Sequence, residues 1–287
     1  MSLKITLLLT LALLSVSTSP IVAKALTGVN AIAISFWRML FASILLWLYS
    51  MIKPQGHISI KTNLRGIIIA GILLGIHFAL FFSAIKLTKI ANATFLGTLA
   101  PFFTLMIEIF ILKRIFSKKI LLGLVFTFIG SLIIVGYEFS FSTTYATGNV
   151  LAVLCSICLG IAFIISEKIR KDELTIVYTR TLYLTAACTL LAIGFITEVE
   201  MIDFSFNEYL GLIFLGIVPT ILGHNSIYYA VKYVSPTIVA AFPIGEPIIA
   251  TILAYFIFGE LITINIVIGG IFTFIGLILI SIYKNLK

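Results

Sequence analysis

From Ile5 to Tyr283 the chain is a succession of apolar runs, separated by short segments that hold most of its charge. An α-helix rises about 1.5 Å per residue, so about twenty apolar residues cross the roughly 30 Å hydrocarbon core of a bilayer. Such a helix satisfies its own backbone groups, and its side chains need only be apolar. A membrane barrel would show strands of about ten residues with alternating polarity, which the runs do not. They predict ten membrane helices: Ile5–Ala23, Ala31–Ile52, Gly66–Ile85, Ile90–Leu112, Ile120–Val135, Asn149–Ser166, Val177–Ile196, Leu210–Val231, Pro236–Phe258 and Ile264–Tyr283. Pro20, Pro101, Pro219, Pro243 and Pro247 fall inside these runs. Membrane helices tolerate such breaks, because neighbouring groups take over the freed backbone bonds. The five prolines are therefore candidate helix breaks and gates.

Composition agrees. Hydrophobic residues make up 61% of the 287 and charged residues 10%, where a soluble domain carries about 25% charged. No polar stretch is long enough for a soluble domain. The net charge of +8 sits in short loops, which argues against nucleic acid as a partner. Cys155, Cys158 and Cys188 lie inside apolar runs. The Cys155–Cys158 pair lacks a second pair or a nearby histidine, so it reads as buried small side chains and not as a metal site. Lys4 and the apolar run behind it fit either a signal peptide or a first span; the repeat described below favours the span.

Loop charges fix an orientation, because cytoplasmic loops collect Lys and Arg. With the N-terminus inside, the inner segments hold Lys4, Lys53, Lys61, Arg65, Lys113, Arg114, Lys118, Lys119, Lys168, Arg170, Lys171, Lys232, Lys284 and Lys287. The outer loops hold only Lys24, Lys86 and Lys89, and Arg38 and Arg180 fall within spans. Acids lean the other way: Glu138, Glu198, Glu200, Asp203, Glu208 and Glu260 outside, Glu167, Asp172 and Glu173 inside. The expectation is a multi-pass protein of a bacterial or archaeal cytoplasmic membrane, with both termini cytoplasmic.

The chain also repeats itself. At an offset of 146 without gaps, Ala84 meets Ala230, Lys86 meets Lys232, Pro101 meets Pro247 and Gly123 meets Gly269. Phe126-Thr127-Phe128-Ile129-Gly130 meets Phe272-Thr273-Phe274-Ile275-Gly276. Two units follow, residues 1–140 and 149–287, of five helices each. An odd number of spans makes the second unit enter the membrane from the opposite side. The turn Lys113-Arg114-Ile115-Phe116-Ser117-Lys118-Lys119 is basic, whereas its counterpart from Gly259 to Asn265 has no basic residue. Inverted repeats of this kind build secondary transporters around a midplane site.

In its motifs the chain resembles the EamA-type, ten-span members of the drug/metabolite transporter superfamily. The resemblance rests on Ser19-Pro20-Ile21, Phe36-Trp37-Arg38-Met39-Leu40, Ala91-Asn92-Ala93 with Leu99-Ala100-Pro101, and Glu246-Pro247 with Phe258-Gly259-Glu260. It covers nearly the whole chain. It implies export or exchange of small metabolites, often amino acids or amphipathic compounds, through a cavity between the halves. Lys113-Arg114 departs from the Gly-Glu found there in many members.

Ionisable groups at membrane depth are costly and face a cavity or a partner. Glu246, mid-span between Gly245 and Pro247, is the strongest such group. It is read as a binder of a cationic group or a proton carrier, against a neutral or paired structural carboxyl. Arg38 is read as snorkelling outward, pairing with Glu246, or binding a substrate carboxylate. Arg180, close to the inner end of its span, reads as snorkelling. His77 follows Gly71 and Gly75, whose spacing permits close helix contact. His224-Asn225 follows Pro219 and Gly223, and His224 meets Phe78 at the repeat offset. Tyr228, Tyr229, Trp37, Phe81 and Phe82 are candidates for an aromatic pocket, with packing as the default for each. Asn92 is a further polar candidate, or a helix–helix bond. Glu108 reads as the partner of Lys113 or Arg114.

The expected function is a secondary transporter of a small metabolite such as an amino acid, an amphipathic amine or a zwitterion, working by alternating access. No P-loop appears, so the energy source is a proton, another ion or a solute gradient. The expected partners are a small-molecule substrate and the lipid bilayer, with no cofactor and no metal. A lipid-carrier flippase is the rival within transport. An intramembrane enzyme would need clustered acids or a nucleophile–base pair, and no catalytic residue is assigned. A membrane scaffold would not need the buried Glu and Arg.

Overall fold

The computed structural model describes residues 1–88, 90–136, 143–259 and 261–282. Lys89, Glu138, Glu260, Tyr283, Lys284 and Lys287, which enter the charge pattern or the last span above, lie outside the described residues. The helices are α1 (Leu3–Ala25), α2 (Ala31–Ile52), α3 (Lys61–Leu87), α4 (Asn92–Ile111), α5 (Lys118–Gly136), α6 (Thr143–Arg170), α7 (Thr175–Ile196), α8 (Phe206–Ala230), α9 (Pro236–Phe258) and α10 (Ile264–Ile282). All but α5 belong to the nine segments, among the described residues, that are long and apolar enough to cross a membrane. The fold is an all-helical membrane bundle, with no strand among the described residues.

Caps set several helix ends. Asn30 accepts from the Ile32 amide at 2.9 Å and starts α2. Ser205 and Glu208 form a reciprocal capping box at the start of α8. Gly259 closes α9 with φ of +70°, a left-handed value that costs glycine little.

Burial is reversed from that of a soluble protein. Arg38, His77, Glu108, Arg170, His224 and Glu246 are buried, while Ile196 is 82% exposed and Phe256 77% exposed. Apolar side chains facing outward are what a lipid solvent requires, and charged groups must then find partners inside.

The packing follows the repeat. α2 lies on α7, α4 on α9 and α5 on α10, each against its counterpart. α3 packs on α6, and α1 correspondingly packs on α8. The α5–α10 contact is the closest: Gly123 faces the backbone of Gly276, and Gly130 faces that of Gly269. The 146-residue shift exchanges these two contacts. Phe126 and Phe272, also 146 apart, stack at 5.8 Å. On α3, Gly71 and Gly75 let the carbonyls of Leu182 and Ala186 on α7 approach closely.

Hydrogen bonds tie the loops at each end. At the end that carries Lys4, that lysine donates to the Tyr229 hydroxyl, Arg180 donates to the Gly56 carbonyl, and Glu173 accepts from Ser59 and Asn63. At the opposite end Lys86 donates to the Val29 carbonyl and Thr88 to Asn149. The first group lies in the basic segments of the sequence, so this is called the basic end below.

The five prolines mark real breaks. α1 is interrupted between Val16 and Ser19, and Pro20 sits in the first turn of the new segment. Pro101 opens Ala100–Met106 in α4, and Pro247 opens Glu246–Phe258 in α9. Pro243 lies in a 3₁₀ turn, Phe242–Gly245. Pro219 lies inside a π-helical stretch of α8, Gly216–His224. Proline has no amide proton, so each position avoids or relocates a missing helix bond.

Candidate functional site: a charged cavity among broken helices

The broken helices α1, α4, α8 and α9, with α2, α3 and α6, enclose a cavity of about 60 Å³. Five of the residues singled out from the sequence converge on it: Arg38, His77, Phe81, His224 and Glu246. Pro243 lines it as well.

Arg38 is held there by a chain of cause that begins at Pro219. Pro219 cannot donate to the Leu215 carbonyl, and the Thr220 hydroxyl donates to that carbonyl instead, at 2.8 Å. The same hydroxyl oxygen then accepts from Arg38 Nε at 2.8 Å. Arg38 Nη1 donates to the Ser19 hydroxyl, 2.9 Å away, at the break in α1. The guanidinium carbon lies 4.4 Å from the centre of the Phe78 ring, a cation–π contact. The remaining nitrogen, Nη2, is buried and has no hydrogen-bond partner among the described residues.

Glu246 begins the last segment of α9, where the chain leaves its 3₁₀ turn. It forms no hydrogen bond or ion pair among the described residues. It shares the cavity with Arg38 without being bonded to it.

His77 Nδ1 lies 2.9 Å from the Cys155 carbonyl. A carbonyl only accepts, so Nδ1 carries the proton. The ring stacks 6.1 Å from that of Phe81. His224 packs edge-on to Phe78 at 5.4 Å, its repeat counterpart, and its Nδ1 is buried without a partner.

Other sequence candidates lie elsewhere. Tyr228 sits behind His224, ringed by Phe163, Tyr178 and Tyr183, and does not line the cavity. Asn225 accepts from the Tyr183 hydroxyl at 3.4 Å. It opens instead on a second pocket, of about 440 Å³, at the basic end with Lys4, Gln55, Thr175 and Tyr229. Trp37 is outside the cavity: its indole donates to the Met201 carbonyl at 2.7 Å and stacks on Phe41. Asn92 donates to Asn149 at 2.9 Å, tying α4 to α6. Of the five aromatic candidates only Phe81 lines the cavity. Pro20, Pro101, Pro219 and Pro247 shape the helices around it without lining it. Arg180 lies over Trp47 near the basic end, and Glu108 pairs with Arg114 at 2.6 Å.

Ser19, Thr220 and Phe78 are not among the site candidates read from the sequence. A signal for each was present. Ser19 adjoins Pro20, Thr220 adjoins Pro219, and Phe78 is the repeat partner of His224.

The EamA-like transporter family model matches residues 3–136 and again residues 146–282. The chain belongs to the EamA-like transporter family. An uncharacterized transporter of Archaeoglobus fulgidus is 28% identical over 97% of this chain and 98% of its own. The uncharacterized transporter YyaM of Bacillus subtilis is 23% identical over 77% of this chain and 75% of its own. The pseudopaline exporter CntI of Pseudomonas aeruginosa is 24% identical over 77% of this chain and 75% of its own. A solved crystal structure shares the fold with a TM-score of 0.81, over 98% of both chains at 18% identity. The protein is thus a multi-pass membrane transporter of small molecules, not an enzyme.

Proposed function

We propose that the chain is a secondary transporter that carries a small zwitterion, such as an amino acid, through the Arg38–Glu246 cavity. The observation that carries this reading is that two opposite charges face one space with no hydrogen bond or ion pair between them among the described residues. Arg38 Nη2 is a buried donor with no acceptor, and Glu246 is a buried acceptor with no donor. Each ion on its own is costly in a membrane. A solute with a carboxylate and an ammonium group would relieve both costs, each by a charge-assisted bond. His77 and His224, which pack on the same Phe78 ring, are proposed to help orient it or to carry a coupling proton.

The two halves are proposed to be inverted repeats that rock about this site. Support comes from the contacts between positions 146 apart and from the exchange of α3–α6 for α1–α8 packing. The basic end is proposed to face the cytoplasm, by the loop-charge rule. The 440 Å³ pocket there would be the vestibule through which solute arrives. A cavity of 60 Å³ holds only a few waters by the usual allowance of roughly 10–15 Å³ each. Transport on this reading widens it. The Pseudomonas relative is an exporter, which favours export as the direction.

The test is uptake and counterflow in proteoliposomes with a panel of neutral amino acids, simple amines and simple carboxylates. Flux of at least one zwitterion, with the matched amine and carboxylate moving poorly, is expected. Equal flux of an amine lacking any carboxylate would overturn the zwitterion reading.

A further inference from the structure

α4 and α9 leave the cavity side by side toward the basic end. Ala100 of α4 and Ala240 of α9 line the cavity. About one turn further, the hydroxyl oxygens of Thr104 and Thr237 lie 3.1 Å apart. One more turn along α4 stands Glu108, with no exposed surface. One of its oxygens, Oε2, accepts from the Thr237 amide at 2.9 Å and lies 2.5 Å from the Thr237 hydroxyl. The other, Oε1, accepts from Arg114 at 2.6 Å, and Arg114 also donates to Glu167 of α6 at 2.8 Å. Burial works against the charge on Arg114, but its bonds to Glu167 and Glu108 hold the guanidinium pKa above its ordinary value.

The result is one bonded chain from α9 through α4 to α6, lying under the cavity. Moving α9 away from α4 at this end would strip a buried carboxylate of the Thr237 donors, and an unsatisfied buried charge is costly. The repeat has no equivalent device. Counting 146 residues on, Thr104 corresponds to Ala250 and Glu108 to Ala254. At the opposite end α9 therefore offers alanines where α4 offers a hydroxyl and a carboxylate.

We propose that the Glu108–Thr237 contact, braced by Arg114 and Glu167, is the gate that closes the transport cavity toward the basic end. It rests on the reading of the cavity as the transport path. In the state described here this gate is shut, and opening it is a discrete event that breaks named bonds.

The test places a single reactive cysteine at the cavity wall just above the gate, A240C, with Cys155, Cys158 and Cys188 replaced by Ser. A membrane-impermeant maleimide is applied to each face of oriented vesicles. Thr237→Val, which keeps the shape but removes the hydroxyl, is expected to raise labelling from the basic face roughly tenfold or more, without a matching rise from the other face. Glu108→Gln is expected to act in the same direction, and Thr237→Ser to restore slow labelling. Unchanged labelling in both Thr237→Val and Glu108→Gln, or an equal rise from both faces, would overturn the gate alone. Labelling of A240C that leaves solute flux intact would overturn the transport path and the gate with it.

Discussion

α4 and α9 run side by side through the bundle, and each restarts at a proline, Pro101 in one and Pro247 in the other. The residue before the proline is Ala100 in α4 and Glu246 in α9, and both line the cavity. Further along, α4 has Glu108 where α9 has Ala254. Each helix thus carries one buried carboxylate, but at a different depth. The α9 carboxylate faces the cavity and has no hydrogen bond or ion pair among the described residues, while the α4 carboxylate is at the basic end and bonded through both oxygens. A duplicated frame supplies two similar breaks. On the reading proposed above, where the charge is placed within each copy decides which break serves the solute and which serves closure.

The largest effect should come from removing the cation that faces Glu246. Arg38→Gln is expected to cut zwitterion flux by roughly ten- to a hundredfold, the range for loss of a hydrogen-bonded charge. It would also leave Glu246 as the only charge in the cavity, so a purely cationic solute should lose less. Parallel flux assays with an amino acid and its decarboxylated amine check this.

Next comes the frame itself. Gly130→Val places a side chain against the Gly269 backbone, where α5 and α10 are in contact. Overpacking of this kind costs about 1–3 kcal/mol, read as a lower melting temperature in detergent. Gly276→Val, its counterpart 146 residues on, which meets the Gly123 backbone in the same way, should cost a similar amount; a large difference would break the symmetry argued for this pair.

A smaller effect is expected from making the two breaks more alike. Ala100→Glu adds a second carboxylate to the cavity, and should lower flux several-fold by competing for Arg38, less than Arg38→Gln does. Flux higher than wild type would mean that carboxylate position is immaterial. The smallest effect should follow Trp37→Phe, which loses the bond to Met201 outside the cavity. About 0.5–1.5 kcal/mol of stability is at stake, with flux within about twofold of wild type.

Much of the frame could be read from the sequence, because lipid demands long apolar helices and the 146-residue repeat aligns without gaps. The buried charges Arg38, Glu246, His77 and His224 were also legible, since ionisable residues at membrane depth stand out against apolar neighbours. Helix rotation was not legible. A membrane helix is apolar toward lipid and apolar toward its neighbours, so no amphipathic stripe shows which face turns inward. That is why Trp37, beside Arg38 in sequence, points to Met201 and not to the cavity. It is also why Tyr228 sits behind His224 and why Arg170, placed in a loop by its charge, is buried with Nε donating to the Tyr228 carbonyl. The sequence offers Lys113 or Arg114 as the partner of Glu108, because both are close by, and the structure pairs it with Arg114. Its bond to Thr237 lies across the bundle, and no local pattern encodes it.

The central claim is that the cavity holding Arg38 and Glu246 is where solute binds and moves. Its most direct test is the initial rate of zwitterion counterflow in Glu246→Gln proteoliposomes, a change that keeps the shape and removes the charge. The account predicts a fall of about tenfold or more, with folding and melting temperature close to wild type. A wild-type rate in a correctly folded Glu246→Gln protein would contradict it.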